Sequence, residues 1–198
     1  VRGQVVEPEK QEGLVTRNPL YATEDEREAA IVEALAAAKD SGREQVAIDA
    51  QLLEAAHAVR KGDFEAAVTG YDAFLGKVDD DHPLRFLALE GKGVALEALG
   101  RLDDALAVFE SIAPSEADFY RHMSLYHRGR VLEALERKDE AIAVYQQFFT
   151  EFPGKENMAT PMVRDRIEEL DPEFAARLSA PPSMFDGMGM GMPGMGMP

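Results

Sequence analysis

The chain repeats itself three times, and each copy reads as a helical hairpin. Ala67, Ala105 and Ala141 stand 38 and 36 residues apart, and the same offsets carry Val68, Leu106 and Ile142, then Tyr71, Phe109 and Tyr145, then Phe74, Ile112 and Phe148. The spacing within each set is helical, so one helix face is written three times. Twelve residues before each alanine lie Ala55, Gly93 and Gly129, followed three residues on by Ala58, Leu96 and Leu132. Periods of this length mean stacked units that bury their apolar faces against one another.

Composition narrows what such a stack can do. With 198 residues, 45% of them hydrophobic, the chain supports one extended core with tails. There is no cysteine, which removes disulfides, zinc-thiolate sites and thiol nucleophiles and leaves the redox compartment open. A formal net charge of -16 argues against nucleic acid and anionic membrane as partners, because both are bound by clustered Lys and Arg. The charge reads as a solubilising coat, with steering of a basic partner as the alternative. No run approaches the roughly 18 apolar residues of a membrane span and no signal-peptide core is present, so direct membrane contact is not expected from these residues. The first residue is Val1, which leaves open a removed leader, a removed anchor or a cloning junction.

Residues 1–22 hold Pro8 and Pro19 and no helical period, which predicts an extended linker or arm. A helical domain is expected over 23–178. Thr23-Glu24-Asp25-Glu26 is a capping box opening a first helix over 23–39. Repeats follow at about 43–78, 83–113 and 117–153, with Pro83 placed in a first helical turn and Ser115-Glu116-Ala117-Asp118 as another box-like start. Gly62 and Gly100 suit tight turns at positive φ, and Pro153-Gly154 closes the third hairpin. Ala30, Ile31, Ala34 and Ala37 stand 37 residues before Ala67, Val68, Tyr71 and Phe74, so the first helix fits the slot of a second hairpin helix and caps the stack. A second cap is expected over 160–170, with Met162, Ile167 and Leu170 inward and Arg164, Asp165, Glu168 and Glu169 in water. Gly93 and Gly129 lie inside helices, and the expected reason is close approach of Ala105 and Ala141.

The run from Gly93 to Phe109, with Leu96, the Gly100 turn, Ala105 and Phe109, resembles the tetratricopeptide repeat. Repeat three matches through Gly129, Leu132, Ala141, Tyr145 and Pro153, with Glu136 where the turn glycine stands. Repeat one has Ala55 and Ala58 at the early positions, and none carries the tryptophan common near the start of the consensus. The resemblance implies an all-α, TPR-like solenoid of antiparallel helical hairpins with capping helices. The opening Pro83-Leu84-Arg85-Phe86-Leu87-Ala88-Leu89, the low repeat number and the unpaired first helix resemble small membrane-anchored bacterial members, of the type of the ancillary Sec-translocon subunit. That likeness implies a periplasmic or membrane-anchored location, with a cytoplasmic one as the alternative, and a chaperone-like or assembly role.

Catalytic constellations are sparse. His122 and His127 are five apart on one helix and point to different faces, so these two, with His57 and His82, read as satisfied surface or groove histidines. Gly91-Lys92-Gly93 lacks the strand, spacing and hydroxyl residue of a phosphate loop. Acidic residues sit at helix-surface spacing, and no nucleophile elbow occurs. The chain reads as non-enzymatic, with no cofactor and no metal site. The family's groove positions fall on Asp49, Leu52 and Ala56 in repeat one, Leu87, Glu90 and Val94 in repeat two, and Met123, Tyr126 and Arg130 in repeat three. This mostly apolar set lacks the lysine and asparagine of a carboxylate clamp and points to a protein or peptide partner, while the oligomeric state stays open. A fixed subunit of a larger assembly is the other reading. Residues 179–198 hold six of the nine methionines among glycine and proline and are expected to be a disordered tail. Contact with exposed apolar surface of a client, or Cu(I) held by Met188, Met190, Met192, Met195 and Met197, are its functional readings.

Overall fold

The computed structural model describes residues 4–5, 20–112, 118–154 and 156–179. The box-like start at 115–117, most of the 1–22 arm and the tail from 180 lie outside the described residues. Two compact units divide the chain, Val1–Pro114 and Ser115–Pro198. The fold is all-α and TPR-like. Among the described residues the departure from helix is a short parallel pairing of β1 (Gln4–Val5) with β2 (Leu20–Tyr21), within the expected arm.

The first unit holds α1 (Glu24–Lys39), α2 (Glu44–Lys61), α3 (Phe64–Leu75), α4 (Arg85–Ala98) and α5 (Leu102–Glu110). Each helix packs on the next, and the short turns between α2 and α3 and between α4 and α5 make those pairs antiparallel. The second unit holds α6 (Asp118–Ala134), α7 (Lys138–Glu151), α8 (Ala159–Leu170) and α9 (Pro172–Ser179), packed likewise. The repeat face is the core of both: Ala67, Ala105 and Ala141 are fully buried, and so are Phe74, Phe109, Tyr145 and Phe148.

The three hairpin turns share one geometry. Gly62 N–H donates to Val59 O and Asp63 N–H to Ala58 O, and the same pair of bonds recurs from Gly100 and Arg101 and from Glu136 and Arg137. This is the cap in which a left-handed residue ends the helix. The φ values are 77° at Gly62, 73° at Gly100 and 59° at Glu136. A Cβ in that region costs about 1–2 kcal/mol, partly offset by the greater freedom of glycine in the unfolded chain. Glu136→Gly is therefore expected to stabilise the second unit by about 1 kcal/mol, seen as a higher urea midpoint.

The helix glycines have a different cause from the one expected. A Cβ on Gly93 would collide with the ring of Phe109, and one on Gly129 with the ring of Tyr145, so buried aromatics and not Ala105 and Ala141 fill the space. Gly91 receives the ring of Tyr71 from α3 in the same way, while Lys92 between the two glycines pairs with Asp72 at 2.6 Å. In the first hairpin the small residue has moved to the partner helix. There Ala55 takes the glycine's place on α2, and a Cβ on Gly70 of α3 would lie 2.8 Å from the Ala55 Cβ.

The ends also differ in detail. The threonine half of the Thr23 box forms, with Thr23 Oγ1 accepting from Glu26 N–H at 3.1 Å, whereas Glu26 Oε2 accepts the N–H of Ala22, one residue before the cap, at 2.8 Å. None of the residues of α1 is buried, and Ala37 is exposed where Phe74 is core. Pro83 stands two residues before α4 and not in its first turn, because the Arg85 N–H to His82 O bond of 2.9 Å closes a turn around it; Leu84 is the N-cap, and its N–H donates to His82 Nδ1 at 3.2 Å. The helix over 159–170 is capped by Asn157, whose Oδ1 accepts from Ala159 and Thr160 while its own N–H donates to Thr160 Oγ1. It is not terminal. α9 follows and pairs with it, placing buried Ala175 34 residues after Ala141, so α8 and α9 make a shortened fourth hairpin in which Met162 and Leu170 are only half-buried.

Candidate functional site

In the three repeat hairpins the second helix supplies most of the aromatic core, joined by Phe86 of α4, and one flank of each first helix is only partly covered. In the first unit that flank belongs to α2 and α4. Asp49 is half-buried and accepts from Gln45 Nε2 at 2.9 Å. Leu52 is only 7% exposed and belongs to the core, so it offers no surface, whereas its neighbour Leu53 is 58% exposed. Helical phase alone could not choose between two adjacent leucines. Ala56, Glu90 and Val94 are half-buried, and Leu87 is exposed. Burial pushes the Tyr71 hydroxyl above the usual tyrosine range; the charge of Arg60 opposes the shift and that of Glu90 adds to it.

In the second unit Met123, Tyr126 and Arg130 are half-buried on α6. Tyr126 and Arg130, four residues apart, meet: the guanidinium lies 5.8 Å from the ring centroid, within reach of a cation–π contact. Arg130 Nη2 is also 3.2 Å from His127 Nδ1, and the His127 ring lies 5.3 Å from that of Tyr126. His127 thus joins the pair, although sequence reading set it aside. Both α6 histidines are buried and so are not surface residues: His127 keeps to the groove alternative beside Tyr126 and Arg130, whereas His122 packs with its ring centroid 3.8 Å from that of Phe152 and 5.6 Å from that of Phe148.

Two polar clasps hold α6 in place. Arg121 makes paired bonds of 2.9 Å to Glu151 of α7, and this guanidinium holds the Glu151 carboxyl below the usual carboxylate range. Tyr145 donates to Glu133 Oε1 at 2.6 Å, and Arg166 of α8 grips the same carboxylate at 3.0 and 2.6 Å. Neither clasp follows from periodicity, since the partners lie 12 to 33 residues apart.

Among the described residues no group of three or more His, Cys, Asp or Glu is arranged to hold a metal ion, and no helix is long and apolar enough to cross a membrane. Two family models described as tetratricopeptide repeat match the chain, one over residues 52–121 and one over 123–154. The chain carries tetratricopeptide repeats. No curated protein and no solved structure matches it. Tetratricopeptide repeats commonly bind proteins or peptides and are generally non-enzymatic interaction modules, and their presence suggests a protein–protein interaction scaffold.

Proposed function

We propose that each unit by itself offers a polypeptide partner the first-helix flank of its tetratricopeptide repeats, through Asp49, Ala56, Leu87, Glu90 and Val94 in the first unit and through Met123, Tyr126 and Arg130 in the second, without catalysing a reaction. The observation that carries this reading is the Tyr126–Arg130 pair, a half-buried aromatic and a cation in contact on a first helix. Residues of these two types are the commonest energetic anchors of protein interfaces. The resemblance of the Pro83–Leu89 opening and of the unpaired α1 to envelope members supports a chaperone-like or assembly role at a bacterial membrane face.

The test uses a partner recovered with the native protein. Tyr126→Ala with Arg130→Ala is expected to weaken its binding by at least about tenfold, as loss of two anchors of about 1 kcal/mol or more predicts, while the circular dichroism spectrum is unchanged. Equal binding by the double variant, with loss on substitution of the second-helix faces, would replace this reading with that of a fixed subunit in a larger assembly.

A further inference from the structure

The first helix is joined to the stack differently from every second helix of the first unit. At the 37-residue offset α1 presents Ala34 and Ala37 where α3 presents Tyr71 and Phe74, so the two ring positions are methyl groups. The consequence is visible in burial: α3 places four side chains in the core, and α1 places none. Val32 on α1 is 56% exposed and Leu53 on α2 is 58% exposed, so these large apolar side chains of the two helices are not taken into the core.

Charge carries what packing does not. Lys39 Nζ lies 3.1 and 3.0 Å from the Glu54 carboxylate, with both side chains well exposed, and Glu28 Oε2 faces His57 Nε2 at 3.2 Å. His57 Nδ1 is simultaneously 3.0 Å from Arg60 Nη2. The exposed Lys39–Glu54 pair adds little and is screened by salt, and the more sheltered contact of Glu28 with His57 is an ion pair only when the imidazole is protonated. Polar satisfaction is also incomplete, because Arg27 Nε on α1 and Gln51 Oε1 on α2, one turn before Glu54, are buried without a hydrogen-bond partner. Such groups regain their bonds on exposure to water, which favours separation.

We infer that α1 is a strap that leaves α2 and re-docks while α2 to α5 stay folded, so that the α2 surface beneath it is uncovered in a minority of molecules. A helix of this length is marginal on its own in water, so undocking and loss of helix go together and are read by amide exchange. In the full chain the amides of residues 31–35 are expected to exchange about 100-fold faster than those of residues 68–71 in α3. Lys39→Glu, which sets like charges against each other at Glu54, is expected to raise the α1 rate about threefold and leave α3 and α5 unchanged. Equal rates in α1 and α3, an α1 rate unmoved by Lys39→Glu, or an equal rise in α1, α3 and α5 would overturn the strap, the last by showing one cooperative unit. The outcome is independent of the partner experiment, because no partner is present.

Discussion

Ala105→Glu is expected to lower the stability of the first unit by about 4 kcal/mol or more, a large share of the roughly 5–15 kcal/mol that holds a domain folded. Ala105 is fully buried in the contact of α5 with α4, beside the ring of Phe109 that occupies the notch of Gly93. A glutamate there adds volume to a closed contact, which costs about 1–3 kcal/mol, and a charge with no counterion, which costs about 3–5 kcal/mol. The two penalties overlap where the side chain escapes by opening the hairpin, so their sum is an upper bound. Thermal and urea unfolding followed by circular dichroism measure it. A wild-type transition in this variant would mean that the repeat alanines do not hold the hairpins together.

The second large effect belongs to Glu133, which joins three helices of the other unit. Glu133→Ala leaves the hydroxyl of fully buried Tyr145 without its acceptor and frees Arg166 from α8. A stranded buried hydroxyl costs about 1–3 kcal/mol, while the part owed to Arg166, itself more than a third exposed, is reduced by solvent. A loss of about 2–3 kcal/mol is expected. Adding Tyr145→Phe to Glu133→Ala should return part of it, because an apolar ring asks for no partner. Failure of the double variant to recover would assign the loss to α8 docking alone. Burial and the Glu133 carboxylate raise the Tyr145 pKa in the folded state, so the contribution of this hydroxyl is complete below the ordinary tyrosine pKa and falls as pH rises beyond it.

What the sequence made legible is what recurs along it. Ala67, Ala105 and Ala141, the following aromatic positions and the turn at Gly62 and Gly100 are local and repeated, and the same register located Glu136 in a left-handed position. What it hid depends on which neighbour a side chain meets across space. Gly93 could be recognised as a point of close approach, yet the approaching group, Phe109, depends on how α5 is rotated against α4. The Glu133–Tyr145–Arg166 clasp joins residues that share no period. α9 was missed because it is short and follows Asp171-Pro172 instead of a glycine turn, although Ala175 keeps the repeat interval. Among the surface positions, Leu52 and Leu53 are equally apolar, and only the packing of α2 against α3 decides which of them faces outward.

The notches of α4 bear on how a partner would meet this protein. Gly91 and Gly93 are separated by about 200° around a helix, so the rings of Tyr71 and Phe109 enter from opposite flanks, like keys in two slots of one shaft. Rotation of α4 about its own axis is blocked on both sides, and the orientation of Leu87, Glu90 and Val94 is set before anything binds. A ligand meeting that flank would find it already oriented and would lose little affinity to reordering. Filling a slot, as in Gly93→Ala, would then turn the displayed side chains away from a visitor that residue 93 itself never touches.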